Sequence, residues 1–211
     1  MAAKIFTVAQ QKGGAGKSTL AAHLAVAWLR KKKRAALVDI DPQSSLAAWF
    51  EMRRESLGEE AGGLTFENVT GWRAAKTIDA LARDYDVVVV DSPPHAETDA
   101  RVAVRAADLV VIPTQPSPLD VWATRPTLEM AAKEKRPAIL ALNRVPPRAL
   151  LTERMMEKLA DYNVALAKST LGSRVAFAEA MERGLSAEEH KPSSQAAKEI
   201  RALAAELWKK G

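Results

Sequence analysis

Gln10-Gln11-Lys12-Gly13-Gly14-Ala15-Gly16-Lys17-Ser18-Thr19 is the stretch that decides how this chain is read. Before it stands Ile5-Phe6-Thr7-Val8-Ala9, an apolar run with the length and composition of a buried strand. After it, Leu20 to Leu29 reads as a helix. A glycine-rich turn between a strand and a helix lets successive backbone N–H groups converge on one point. The helix start adds partial positive charge there, so the main chain itself can hold a polyphosphate. Lys17 is spaced to reach the β- and γ-phosphates of a nucleotide, and Ser18 to place its hydroxyl on Mg²⁺. Gly13, Gly14, Ala15, Gly16, Lys17, Ser18 and Thr19 are the candidate phosphate-binding residues.

Outward from the loop, apolar runs and helical patterns alternate. Ala35 to Ile40 reads as a second strand, and Leu64 to Val69 as a short one at an edge. Val87-Val88-Val89-Val90 is apolar on both faces, the mark of a central parallel strand. Asp108 to Pro113, Ala138 to Asn143 and Val164 to Ala167 follow, with helical patterns over about 98–107, 119–134, 150–162 and 174–183 in the gaps. The expected fold is α/β: a doubly wound, mostly parallel sheet with helices on both faces, and ligands at the strands' carboxyl ends. With no repeat, low-complexity segment or linker, residues 1–211 are expected to form a single domain.

The polar residues that stand out sit where strands end. Asp91 follows four valines, the pattern of a carboxylate that helps hold Mg²⁺ between phosphate oxygens. Asp39-Ile40-Asp41-Pro42-Gln43 ends the second strand, and Asp41 suits a capping role for the helix after Pro42. Asn143, followed by Arg144, closes another strand with a side chain able to donate and accept at once; by itself it reads as a turn residue.

The loop departs from G-x-x-x-x-G-K-[ST] by carrying Gln11 where glycine is usual, and it adds Lys12. With the D-x-D-P-Q element, these features resemble the ParA/MinD family of deviant Walker A P-loop NTPases, and small ParA-type partitioning ATPases most of all. The resemblance spans nearly the whole chain. It implies ATP and Mg²⁺ as cofactors, with Lys12 reaching the nucleotide of a partner subunit in an ATP-dependent homodimer. It assigns the chemistry to Lys12, Lys17 and Asp41, the metal to Ser18, Asp39 and Asp91, and the adenine to Asn143 with Arg144. Asp91-Ser92-Pro93-Pro94-His95 matches the family's second switch, and the loop over 112–120 is placed near the dimer interface with no chemistry of its own. The family's proline on the adenine side is absent from Ser169 to Ser173. Starting at the phosphate-loop strand, the chain is expected to lack the N-terminal DNA-binding extension of larger relatives.

Composition narrows the reading further. There is no cysteine, which excludes disulfides and thiolate metal sites and sets the chain apart from the iron–sulfur relatives of this family. The net charge of +5 lies entirely in residues 101–211. That asymmetry points to a polyanion, with Lys168, Arg174, Lys191, Lys198 and Arg201 as candidates for nonspecific contact with duplex phosphates. The segment from Ser194 to Lys210 is amphipathic, with Ile200, Leu203, Ala204, Leu207 and Trp208 on one stripe, and is expected to dock on the sheet rather than on a membrane. His23, His95 and His190 lack metal-ligand spacing and are placed on surfaces or helix faces; the five tryptophans are read as packing residues. The resulting expectation is a cytoplasmic, nucleoid-associated ATPase whose slow hydrolysis is stimulated by a ParB-like or cargo-adaptor protein, segregating DNA or positioning cargo. The alternatives are a MinD-like membrane-cycling regulator and a metabolic P-loop enzyme such as a dethiobiotin synthetase.

Overall fold

Every strand expected from the apolar runs forms, and each lies in one sheet. The computed structural model describes residues 3–94, 97–147 and 150–211. Strands β1 (Lys4–Val8), β2 (Ala35–Asp39), β3 (Thr65–Asn68), β4 (Val87–Asp91), β5 (Leu109–Thr114), β6 (Ala138–Leu142) and β7 (Ala165–Leu166) run in the order β3-β2-β4-β1-β5-β6-β7. All six pairings are parallel, so the sheet is wholly rather than mostly parallel. Between them run helices α1 (Lys17–Arg30), α2 (Ser45–Leu57), α3 (Arg73–Asp84), α4 (Glu97–Ala106), α5 (Pro118–Lys133) and α6 (Leu150–Ala160). Helices α7 (Val175–Glu182), α8 (Ala187–His190) and α9 (Gln195–Trp208) complete the chain.

Side chains alternate along a strand, so each β-branched run feeds two cores. Val87 and Val89 join Phe6, Leu37 and Val111 under α1, α2 and α9. Val88 and Val90 join Val38, Ala74 and Ile78 under α3, and Val110 and Ile112 pack with α4, α5 and α6. The register decides where the chemistry lies: Val8 pairs with Asp91, and Asp91 with Asp39, so two carboxylates sit side by side next to the strand that enters the phosphate loop.

The last helix docks on the sheet as its pattern requires. Ser194 caps α9 by accepting from the Ala197 N–H, and Ile200, Leu203 and Leu207 are buried beside Trp28 and Phe6. Trp28 and Trp49 are core residues, but the packing reading fails at α3 and α5: Trp72 is 81% exposed and Trp122 60%. Both are near helix starts. His23 is also corrected, from a surface or helix-face placement to a fully buried one.

Short α8 was not legible in the sequence, yet it holds the most buried ion pair. Arg53, on α2 and wholly inaccessible, donates from Nη1 and Nη2 to the two Glu189 oxygens at 2.8 Å each. Its Nε donates to the Ala61 carbonyl and its Nη1 also to that of Gly184. Gly184 has φ +67°, and a Cβ there would lie 2.1 Å from the Arg53 nitrogen, so no other residue fits. Glu189→Gln would leave a buried guanidinium without counter-charge. It should cost roughly 3–5 kcal/mol of unfolding free energy in a urea titration. A loss below about 1 kcal/mol would show the pair to behave as a solvated one.

Candidate active site

The glycine loop leaves β1 and enters α1 at Gly16, whose φ of +88° lies in the left-handed region. A Cβ at Gly16 would stand 2.5 Å from the Asn143 Nδ2, so glycine is required twice over. Gln11 shows why the usual first glycine is dispensable: its φ is not positive, and its N–H donates to Thr127 Oγ1 on α5 at 3.2 Å. Gln10 anchors the same loop entrance, donating to Thr124 Oγ1 and accepting from Thr127 Oγ1, both at 3.3 Å. From the β6 side, Asn143 Nδ2 donates to the Ala15 carbonyl at 2.9 Å, and Arg144 Nη1 to that of Gly14 at 3.2 Å. Holding those carbonyls fixes the loop's peptide planes. No side chain caps α1 and its first turn carries no acid, so its amide dipoles face no built-in anion.

The two lysines of the loop part company. Lys17 is buried, and desolvation lowers its pKa despite the attraction of Asp91 and Asp41. Lys12 is a third exposed and turns to the start of α5, where Nζ meets Asp120 Oδ2 at 2.8 Å. Asp120 is itself held by the Ser117 hydroxyl, which donates to the same oxygen at 2.5 Å. Sequence reasoning gave the loop before α5 no chemistry; the available signal was Ser117-Pro118, an N-cap followed by proline, which puts Asp120 in a helix's first turn.

Asp39 and Asp41 divide their labour differently from expectation. Asp39 is buried, and both oxygens are taken by backbone donors, Asp41 N–H at 2.9 Å and Leu46 N–H at 3.1 Å. It is therefore Asp39, not Asp41, that ties the first turn of α2. Burial, the largest influence, raises its pKa against those two N–H groups. Asp41 accepts from the Gln43 N–H at 3.0 Å, keeping its second oxygen for other work.

Asp91 is the exception in the site. Both oxygens are buried with no hydrogen-bond partner, and so is the Ser92 hydroxyl. Burial above all pushes the carboxyl up to about 8; Asp39 and Asp41 add to the shift, and Ser18 and Lys17 oppose it. Orphaned carboxyl oxygens next to the Ser18 hydroxyl are a donor set that, once deprotonated, fits a hard divalent cation such as Mg²⁺. His95, at the end of the second-switch match, lies outside the described residues. Among the described residues no cluster of three or more His, Asp or Glu forms a separate metal site.

On the other side of Asn143 lies a cavity of about 600 Å³, lined by Thr19, His23, Arg144, Leu171, Gly172, Phe177 and neighbours. It begins at Gly16 and is large enough for a nucleoside. The five basic candidates are more dispersed. Arg174 pairs with Glu199 at 2.6 Å and Lys191 with Glu179 at 2.7 Å, while Arg201 lies 3.7 Å from Glu188. Among the described residues, Lys168 and Lys198 have no such carboxylate.

The Asp91 proton predicts a pH effect. A carboxyl raised from 3.8 to about 8 keeps its proton in the folded state, so it favours folding at low pH and that contribution is lost as pH rises toward 8. His23, lowered from 6.5 to about 4, acts oppositely below 6.5. Above pH 6.5 His23 therefore no longer opposes the Asp91 effect, which is still being lost there. There the melting temperature of the ligand-free protein should fall, and Asp91→Asn should flatten that fall; equal slopes would show the carboxyl to be ionised throughout.

Comparison with known proteins agrees with this geometry. Residues 6–187 match the family model described as the CobQ/CobB/MinD/ParA nucleotide binding domain. The maintenance of carboxysome distribution protein A of Halothiobacillus neapolitanus is 30% identical, over 87% of each chain. The chromosome-partitioning ATPase Soj of Thermus thermophilus is 29% identical, over 95% of this chain and 93% of Soj. In three dimensions, the cell division ATPase MinD of Pyrococcus furiosus superposes with a TM-score of 0.78, at 23% identity and 99% coverage of both chains. With a phosphate loop, two switch carboxylates and a nucleoside-sized cavity at one sheet edge, the chain belongs to the CobQ/CobB/MinD/ParA nucleotide-binding family, among its ParA-like partitioning ATPases.

Proposed function

We propose that this chain works as one P-loop domain that dimerises on ATP, binds DNA nonspecifically as a dimer, and lets go on hydrolysis. The observation that carries the proposal is the separation of the two loop lysines. Lys17 is committed among Asp41 and Asp91, whereas Lys12 stands at the rim, engaged among the described residues only by Asp120. A rim ammonium can exchange that carboxylate for the polyphosphate held by a second copy, and the exchange is favourable only while the nucleotide's negative charge is in place. Lys17 and the loop amides from Gly13 to Thr19 bind the phosphates. Asp41, with one oxygen uncommitted, orients the attacking water. Ser18 and Asp91 would hold Mg²⁺, which supplies charge neutralisation between phosphate oxygens. Asp39 serves by shaping the switch loop through its two backbone bonds.

For DNA, the ion pairs narrow the candidates to Lys168 and Lys198, with Arg174, Lys191 and Arg201 reaching phosphates only if they leave their carboxylates. A partner that accelerates turnover, ParB-like or a cargo adaptor, fits a site whose water-positioning carboxylate is on a loop. The membrane-cycling alternative is disfavoured because Ile200, Leu203 and Leu207, the apolar stripe it would need, are buried in the fold.

Lys17→Ala should weaken ATP binding at least about 100-fold, the scale of a lost charge-assisted contact, by titration calorimetry. Lys12→Ala should bind ATP yet elute as a monomer in gel filtration, and Asp41→Ala should persist as an ATP-loaded dimer on DNA. A Lys12→Ala protein that still dimerises on ATP would overturn the proposal. DNA retention should require ATP and weaken with salt; retention equal with ADP would remove the switch.

A further inference from the structure

Outside the phosphate loop, one buried polar atom of the cavity has no explanation in the fold. His23 is on α1, one turn beyond Thr19, and lines the cavity while being 1% exposed. Its Nδ1 lies 2.8 Å from the Thr19 carbonyl oxygen, which can only accept, so Nδ1 carries the proton and donates. Nε2 is then an unprotonated acceptor, buried with no partner. Phe177 packs against the imidazole in a T-shaped arrangement, 5.1 Å between centroids. Burial holds the imidazole neutral, with its pKa lowered to about 4. A buried acceptor left unpaired is costly and needs a reason.

Several other polar groups of the cavity already have partners. Asn143 donates to the Ala15 carbonyl and accepts from the Arg144 N–H, Arg144 donates to the Gly14 carbonyl, and Arg174 is held by Glu199. Of the buried side-chain atoms without a partner, His23 Nε2 is the one whose residue lines this cavity, among the described residues. Resting on the nucleotide reading above, we infer that His23 Nε2 is a specificity-determining acceptor for the exocyclic amine of a 6-aminopurine. Adenine presents an N–H donor at that position. Hypoxanthine and guanine present a carbonyl oxygen, which sets acceptor against acceptor. A site built to pair a ligand N–H rejects the analogue lacking it, because its own polar atom is then stranded.

The test is calorimetric titration of the whole protein with the Mg²⁺ complexes of ATP, purine riboside triphosphate (no 6-substituent) and inosine triphosphate. Wild type should bind ATP about 10-fold tighter than the purine riboside form, and inosine triphosphate more weakly still. In His23→Leu, of similar volume, the preference for ATP over the purine riboside form should vanish while binding of the latter is kept. A readout free of mutation is the ¹⁵N resonance of His23 Nε2, which should move with ATP and stay unmoved with the purine riboside form. Equal wild-type affinities, or a preference that survives His23→Leu, overturn the inference and leave the nucleotide reading intact. Failure of the wild type to bind any triphosphate overturns that reading and this one together.

Discussion

Three carboxylates and one ammonium crowd the carboxyl edge of the sheet, and much of the site follows from how that charge is accommodated. Parallel register places Asp39 and Asp91 on neighbouring strands, and the loop after β2 brings Asp41 within electrostatic reach of both. Water cannot relieve the crowding, because Asp39 and Asp91 are buried. Backbone N–H groups answer for Asp39, and one answers for Asp41. No backbone N–H answers for Asp91, and burial raises its pKa against the pull of Ser18 and Lys17. The phosphate loop is then more than a cradle for an anion: its Lys17 is the local counter-charge that lets the carboxylates share one edge.

The same electrostatics distinguishes the rim from the interior. Lys12 and Asp120 meet where water still reaches the ammonium, so their attraction is screened and exchangeable. Arg53 and Glu189 meet where the guanidinium touches no water, so their attraction fastens α2 to α8. One pair suits a contact that must be remade in each cycle, the other a permanent joint. The basic surface follows the same division, since several of its cations already answer carboxylates on α7, α8 and α9.

Local signals carried the fold and the phosphate loop. Four valines before Asp91 can only be an interior parallel strand, and a strand, glycine loop and helix in succession leave little choice of topology. Ser194 and the stripe from Ile200 to Leu207 located the last helix for the same reason. What escaped notice depends on distance along the chain. Lys12 and Asp120 are 108 residues apart, and Arg53 and Glu189 are 136 apart. No periodicity encodes such meetings, and α8 is too short to show one. Trp72 and Trp122 misled because aromatic composition alone does not tell a core position from an exposed one near a helix start. His23 misled in the opposite sense, as a polar residue on a helix that proved to be buried against the cavity.

Helix α2 is fastened at both extremities, and that has a mechanical consequence. Its first turn hangs from Asp39 through the Leu46 N–H, while its far half is bolted by Arg53 to the turn between α7 and α8. That turn follows directly on Met181 and Glu182, which line the cavity beside Asn143. The phosphate end and the base end of the cleft are thus joined through one helix. Thermodynamic reciprocity then requires that whatever tightens one end by moving this helix be tightened by the other to the same degree.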